Sequence, residues 1–198
     1  MDPDWLNGVI RNFRDSGAVL PAFDRRLDAL TGDTDQHESV PDDSSDHEIR
    51  AEAASFVLHA IRDSLHDHIL SETEADAIEA LKYGLGLDEG DLQALQHVRT
   101  RDFLSSEIES MLADGAIDDS ESLRKSGLQR ALGLGYDQFL FLAQDGMRPA
   151  VERILEDARH ERRHGGGSPS LDRLKRLRTF VRIDFDALEA IWPNAPRG

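Results

Sequence analysis

The chain has 198 residues, no cysteine, 6% aromatic residues and a net charge of −16 from 39 acidic and 23 basic side chains. The absence of thiols excludes disulfides, thiolate metal centres and cysteine nucleophiles. The acidic balance disfavours nucleic acid and anionic lipid as partners and favours basic proteins or cations.

No apolar run approaches the roughly 18 residues that span a bilayer. Met1-Asp2-Pro3-Asp4 lacks the basic and apolar regions of a secretory leader, so a cytoplasmic location is expected. With few aromatics, Leu, Ile, Val and Ala must fill the core, and Leu and Ala favour helices.

Residues 4–30 read as helical, with Trp5, Leu6, Val9, Ile10 and Phe13 at helical spacing, a break at Gly17 and Pro21, and Phe23, Leu27 and Leu30 beyond it. The chain then divides into an N-terminal helical segment (1–32), an acidic linker (33–47), a duplicated helical domain (48–159), a Gly-rich linker (160–169) and a basic C-terminal helix and tail (170–198). Asp33, Asp35, Glu38, Asp42, Asp43 and Asp46 make the first linker a solvated stretch.

Within the body, helices are expected from near His47 through Leu65, Glu72 to Tyr83, Glu89 to Val98, Phe103 to Leu112, Asp119 to Leu132, Asp137 to Gln144 and Arg148 to Arg159. No period-two run predicts a strand, so the expected fold is an all-α bundle.

A shift of 47 positions superimposes two body segments. Ile61 falls on Ile108, Leu65 on Leu112, Asp67 on Asp114, Glu74 on Glu121, Leu81 on Leu128 and Leu95 on Leu142, while Leu85-Gly86-Leu87 falls on Leu132-Gly133-Leu134. Each copy reads as a helix, an acidic turn, an apolar residue (Leu70 or Ile117), a capping box and a second helix. The boxes are Ser71 with Glu74, and Asp118 with Glu121, whose acids suit the positive end of a helix dipole. Gly86 and Gly133 are placed for a left-handed helix end.

The run from Met111 through Ala113-Asp114-Gly115-Ala116-Ile117 to Glu121, ending at Leu132-Gly133-Leu134, resembles the TerB-like family associated with tellurite resistance. The resemblance covers about residues 55–145; His68 stands in the first copy where the family pattern has glycine. It implies an all-helical, often duplicated fold, and acids near the turns that hold a divalent cation: Asp67 and Glu74 in the first copy, Asp114, Asp118 and Glu121 in the second. It further implies accessory roles in bacterial stress response or phage defence, beside membrane-associated or enzymatic partners.

Other constellations carry less. An EF-hand starting at Asp114 would place Ala116 at its third position and Lys125 at its twelfth, where oxygen ligands are required. His160-Glu161-Arg162-Arg163-His164 matches the zinc-protease pattern HExxH, but two arginines would stand beside the metal and Gly165 ends the helix. His59, Asp63 and His66 fall on one helix face that could hold a transition metal or be merely solvated. Gly165-Gly166-Gly167 lacks the lysine of a phosphate loop and is read as a linker.

From Ala158 to Arg182 eight basic residues face two acids, so that stretch carries +6 and the remainder −22. Docking on an acidic surface or a partner protein is expected for it. The sequence therefore predicts a non-catalytic interaction module, an adaptor or accessory subunit, with the terminal helix or the Trp5/Phe13 helix as partner surface. Two alternatives stand beside it: a metal-responsive carboxylate switch, and an acidic inhibitor or immunity protein of a basic enzyme.

Overall fold

Asp2 starts the first helix by accepting a hydrogen bond from the Asp4 N–H (2.9 Å), and Pro3 occupies the first turn, where a missing N–H costs nothing. In the computed structural model, which describes residues 2–32, 44–65, 70–112, 119–163, 169–170 and 172–173, this helix is α1, Pro3–Ser16. The others are α2 (Pro21–Thr31), α3 (Asp46–Ser64), α4 (Glu72–Gly84), α5 (Asp91–Leu112), α6 (Asp119–Ala131) and α7 (Tyr136–Arg163). Among the described residues all regular structure is helical, so the chain is all-α. None of these helices is long and apolar enough to cross a membrane.

Two compact units form: Met1–Thr100 with Ser126–Leu134, and Arg101–Lys125 with Gly135–Gly198. In the first, α1 and α2 pack on α3, and α3 packs on α4. Phe13, Phe23 and Phe56 meet edge to face at the junction, with ring centroids 5.1–6.3 Å apart. Phe23, Phe56, Leu27, Ile61, Ile78 and Leu81 are fully buried around them. Burial of each such side chain is worth about 1.5–3 kcal/mol, so the N-terminal helices are held by the same core as the body. Arg14 reinforces the α1–α2 corner by bonding Asp24 and Asp28.

Two expected helix breaks are absent or displaced. The gap predicted between Val98 and Phe103 is replaced by a kink at Gln96 (φ −131°, ψ 37°) inside α5. The cause is tertiary: Gln96 donates its side-chain amide to the Ala51 carbonyl of α3 at 2.7 Å. Beyond the kink the buried Thr100 hydroxyl donates to the Leu92 carbonyl (3.2 Å).

The second break, between Gln144 and Arg148, is spanned by α7 despite Pro149. The proline ring removes one helix hydrogen bond but stands exposed. Gly146 is buried so closely that a Cβ there would lie 2.4 Å from the Ser105 carbonyl oxygen in the second unit. That unit buries Phe103, Leu104, Ile108, Phe139, Leu142 and Val151, and pairs Arg124 with Glu107 at a largely buried position.

Candidate functional site

Local hydrogen bonding recurs at the 47-residue spacing. Leu85 N–H donates to Leu81 O, as Leu132 donates to Leu128, both at 3.0 Å. Leu87 donates to Lys82 O (2.9 Å) as Leu134 does to Gln129 O (3.0 Å), closing each helix through a glycine at φ 70° (Gly86) or 62° (Gly133). The Asp88 N–H is accepted by Asp91 (2.7 Å) and the Gly135 N–H by Gln138 (2.9 Å). Helices α4 and α6 have the same length of 13 residues, starting at Glu72 and Asp119.

Of the predicted cation ligands, Asp67, Asp114 and Asp118 lie outside the described residues, as does the side chain of Glu121. Glu74 is a helix cap: its Oε2 accepts from the Ser71 N–H (2.9 Å) and hydroxyl (2.6 Å), while the Glu74 N–H donates to Ser71 Oγ (3.2 Å). The capping box read from sequence is therefore formed at α4. Among the described residues no group of three His, Asp or Glu side chains is placed to share a metal ion.

The histidine motifs have structural surroundings. His59 is half-buried, its ring 5.5 Å from that of Phe13, and its buried Nε2 finds no hydrogen-bond partner among the described residues. Burial lowers its pKa from the ordinary value, against the pull of Asp63. Asp63 accepts from Asn12 at 3.2 Å, and His66 lies outside the described residues. In the HExxH run, His160 is exposed and His164 lies outside the described residues. Glu161 binds the buried Ser170, through its hydroxyl at 2.7 Å and its N–H at 3.2 Å. The basic run beyond Arg173 lies outside the described residues too.

Comparison with protein-family models, curated proteins and solved structures returns no match.

Two clefts within the first unit are lined in part by α4. One, of about 700 Å³, includes Glu79, Lys82, Tyr83, Asp88, Glu89 and Arg130 in its lining. Its cations are already engaged. Lys82 Nζ donates to Glu79 (3.1 Å) and to the Ala131 carbonyl (3.2 Å), satisfying an orphan carbonyl at the end of α6, and Arg130 pairs with Asp76 (2.6 Å). The Tyr83 side chain is left 88% exposed.

The other cleft, about 620 Å³, is lined by Asp2, Trp5, Ser71, Thr73, Glu74, Asp76 and Ala77. Trp5 is anchored there by its indole N–H, which donates to the buried Ser64 hydroxyl at 3.3 Å. Phe13, expected to share a partner surface with Trp5, is 8% exposed and packs into the aromatic core. That expectation is corrected for Phe13, because it lies on the face of α1 turned to α3. Asp2, Asp76, Asp88, Glu89 and Tyr83 were not legible as site residues, since no sequence spacing links α1, α4 and the α4–α5 corner.

Proposed function

We propose that this chain is a non-catalytic helical interaction module of TerB-like kind, acting as an adaptor or accessory subunit in a bacterial stress-response or phage-defence system. The observation that carries the interaction reading is Tyr83, almost fully exposed beside Asp88 and Glu89 in a cleft whose own Lys82 and Arg130 are paired internally. A large exposed aromatic beside carboxylates suits a partner that brings positive charge and some apolar area. The family reading is supported by the Asp114–Glu121 motif and by the matching hydrogen bonds of the two Leu-Gly-Leu corners.

A protein partner carrying Lys or Arg would gain long-range steering from the chain's charge of −16 and short-range contacts at the cleft. The test is parallel capture from cell extract on the wild-type chain and on Tyr83→Ala/Asp88→Asn/Glu89→Gln. A protein retained by the wild type and lost by the variant supports the module reading. An identical set on both columns contradicts it.

A further inference from the structure

We infer that His59 is an acid-operated catch on α1: on taking up a proton it draws Asp63 away from Asn12, and α1 then parts from α3 more often. This goes beyond the interaction reading and does not rest on it.

Four side chains of α3 meet α1. The rings of Phe56 and His59 lie 5.1 and 5.5 Å from that of Phe13, Asp63 accepts from the Asn12 amide at 3.2 Å, and Ser64 accepts from the Trp5 indole at 3.3 Å. His59 and Asp63 stand four positions apart on α3, a spacing that puts them on one helix face with Cβ atoms about 5–6 Å apart. Asp63 nevertheless accepts from α1, while the half-buried imidazole lies against Phe13 with its Nε2 finding no acceptor among the described residues.

That arrangement suits a neutral ring. An imidazolium carries an N–H on both nitrogens, and a charged donor left buried without an acceptor is costly. Swinging onto Asp63 would replace the orphan with a charge-assisted bond. The same movement takes the ring off Phe13 and the acceptor from Asn12, two of the four contacts that tie α1 to α3. Proton uptake thus exchanges a link between two helices for a link within one.

The charges around the ring fix the sign. Burial lowers the His59 pKa, Asp63 pulls it up and Arg62 pushes it down, the last two both from α3. The other helices packed on α3 bring no opposing charge: the buried faces of α1, α2 and α4 are apolar, and Arg14 of α1 is turned to Asp24 and Asp28 of α2. Docking of α1 is therefore favoured above the ordinary histidine value of about 6.5 and declines as pH falls toward the depressed one. Glu52 accepts from the Leu20 N–H at the start of α2, and burial raises its pKa, so its proton uptake favours the docked form and opposes the catch.

The test uses the full chain in nitrogen-correlated NMR. Amide exchange in α1, taken relative to α4 so that intrinsic pH dependence cancels, reports the parting of the helices. Loss of one hydrogen bond sets the scale, so relative exchange of α1 should rise about twofold to tenfold between pH values of about 7.5 and 5.5. The Trp5 indole signal should move with the same midpoint as the His59 ring. His59→Gln, which takes up no proton, should abolish the rise. Asp63→Asn still offers Asn12 an acceptor but gives the imidazolium no counter-charge, and should hold the rise below about twofold.

A wild-type chain whose α1 exchange does not respond to pH would overturn the inference. So would a rise retained in His59→Gln, which would assign it to another group. A steeper rise in Asp63→Asn would also overturn it, because Asp63 would then stabilise the charged ring in the docked form. Should His59→Gln fail to fold, the Asp63→Asn response and the coincidence of the two wild-type midpoints decide.

Discussion

Replacing Gly146 by alanine pits helix propensity against packing, and the structure says which wins. In the middle of an exposed helix, Gly→Ala is worth about 0.5–1 kcal/mol of stability. At Gly146 the added Cβ would lie 2.4 Å from the Ser105 carbonyl oxygen, 2.8 Å from its Cα and 2.9 Å from its carbonyl carbon. All three are backbone atoms, so no side chain can rotate away. Ordinary contact begins roughly 1 Å further out, and moving α7 and α5 apart by that much opens the packing beside Phe103, Leu104, Leu142 and Ala143. Overpacking of this kind costs about 1–3 kcal/mol and occasionally more. Since the propensity gain offsets about 1 kcal/mol at most, Gly146→Ala should destabilise by about 1–2 kcal/mol. Gly8, in α1, has nothing within 4 Å of its ideal Cβ, so Gly8→Ala should stabilise by up to about 1 kcal/mol. Urea unfolding followed by circular dichroism measures both. A Gly146→Ala midpoint at or above wild type would refute the close approach of α7 to Ser105.

Three further outcomes follow from the same packing. Phe23→Ala removes a fully buried ring that meets both Phe13 and Phe56, and should cost about 3–5 kcal/mol in the same unfolding assay; a loss below 1 kcal/mol would detach the N-terminal helices from the core. His59 has its pKa lowered by burial, so the unfolded chain binds the proton more readily. Its contribution to stability is present above the ordinary histidine pKa and declines as pH falls from about 6.5 toward the depressed folded value. His59→Leu should therefore show a shallower loss of melting temperature than wild type between pH 7 and 5, and a parallel pair of curves would contradict that assignment. For the carboxylate-switch alternative, Ca²⁺, Mg²⁺ or Zn²⁺ bound only by the folded chain must raise its melting temperature. The interaction-module account expects no rise beyond the effect of ionic strength, and a saturable rise abolished by Asp114→Asn would favour the switch.

The helix ends were legible where the signal is local. Ser71 and Glu74 cap α4 because their side chains reach backbone groups three residues away, and Gly86 and Gly133 close their helices because glycine adopts positive φ cheaply. The kink at Gln96 was not legible, since the amide that stabilises it finds its acceptor on Ala51, 45 positions earlier. The break expected between Gln144 and Arg148 is overridden by tertiary structure: the Pro149 ring is exposed, and Gly146 permits a close backbone approach. At the candidate site, Trp5 stood out as a half-exposed aromatic, whereas Phe13 on the same stripe proved to be core. Periodicity finds the apolar face of a helix but does not say which of its members another helix will cover. The carboxylates of both clefts looked like ordinary solvated charges, because it is the fold that brings Asp2 beside α4 and Arg130 onto Asp76.

The central claim is that the acidic cleft beside Tyr83 binds a basic protein partner. The measurement that tests it most directly is the affinity of the captured partner for the chain as a function of salt, for wild type and for Tyr83→Ala/Asp88→Asn/Glu89→Gln. Screening shortens electrostatic reach to about 8 Å at physiological ionic strength, so wild-type affinity should fall steeply as salt rises. The variant should bind more weakly and with a flatter dependence. A wild-type affinity indifferent to salt, or a variant that follows the wild-type curve, would contradict the account.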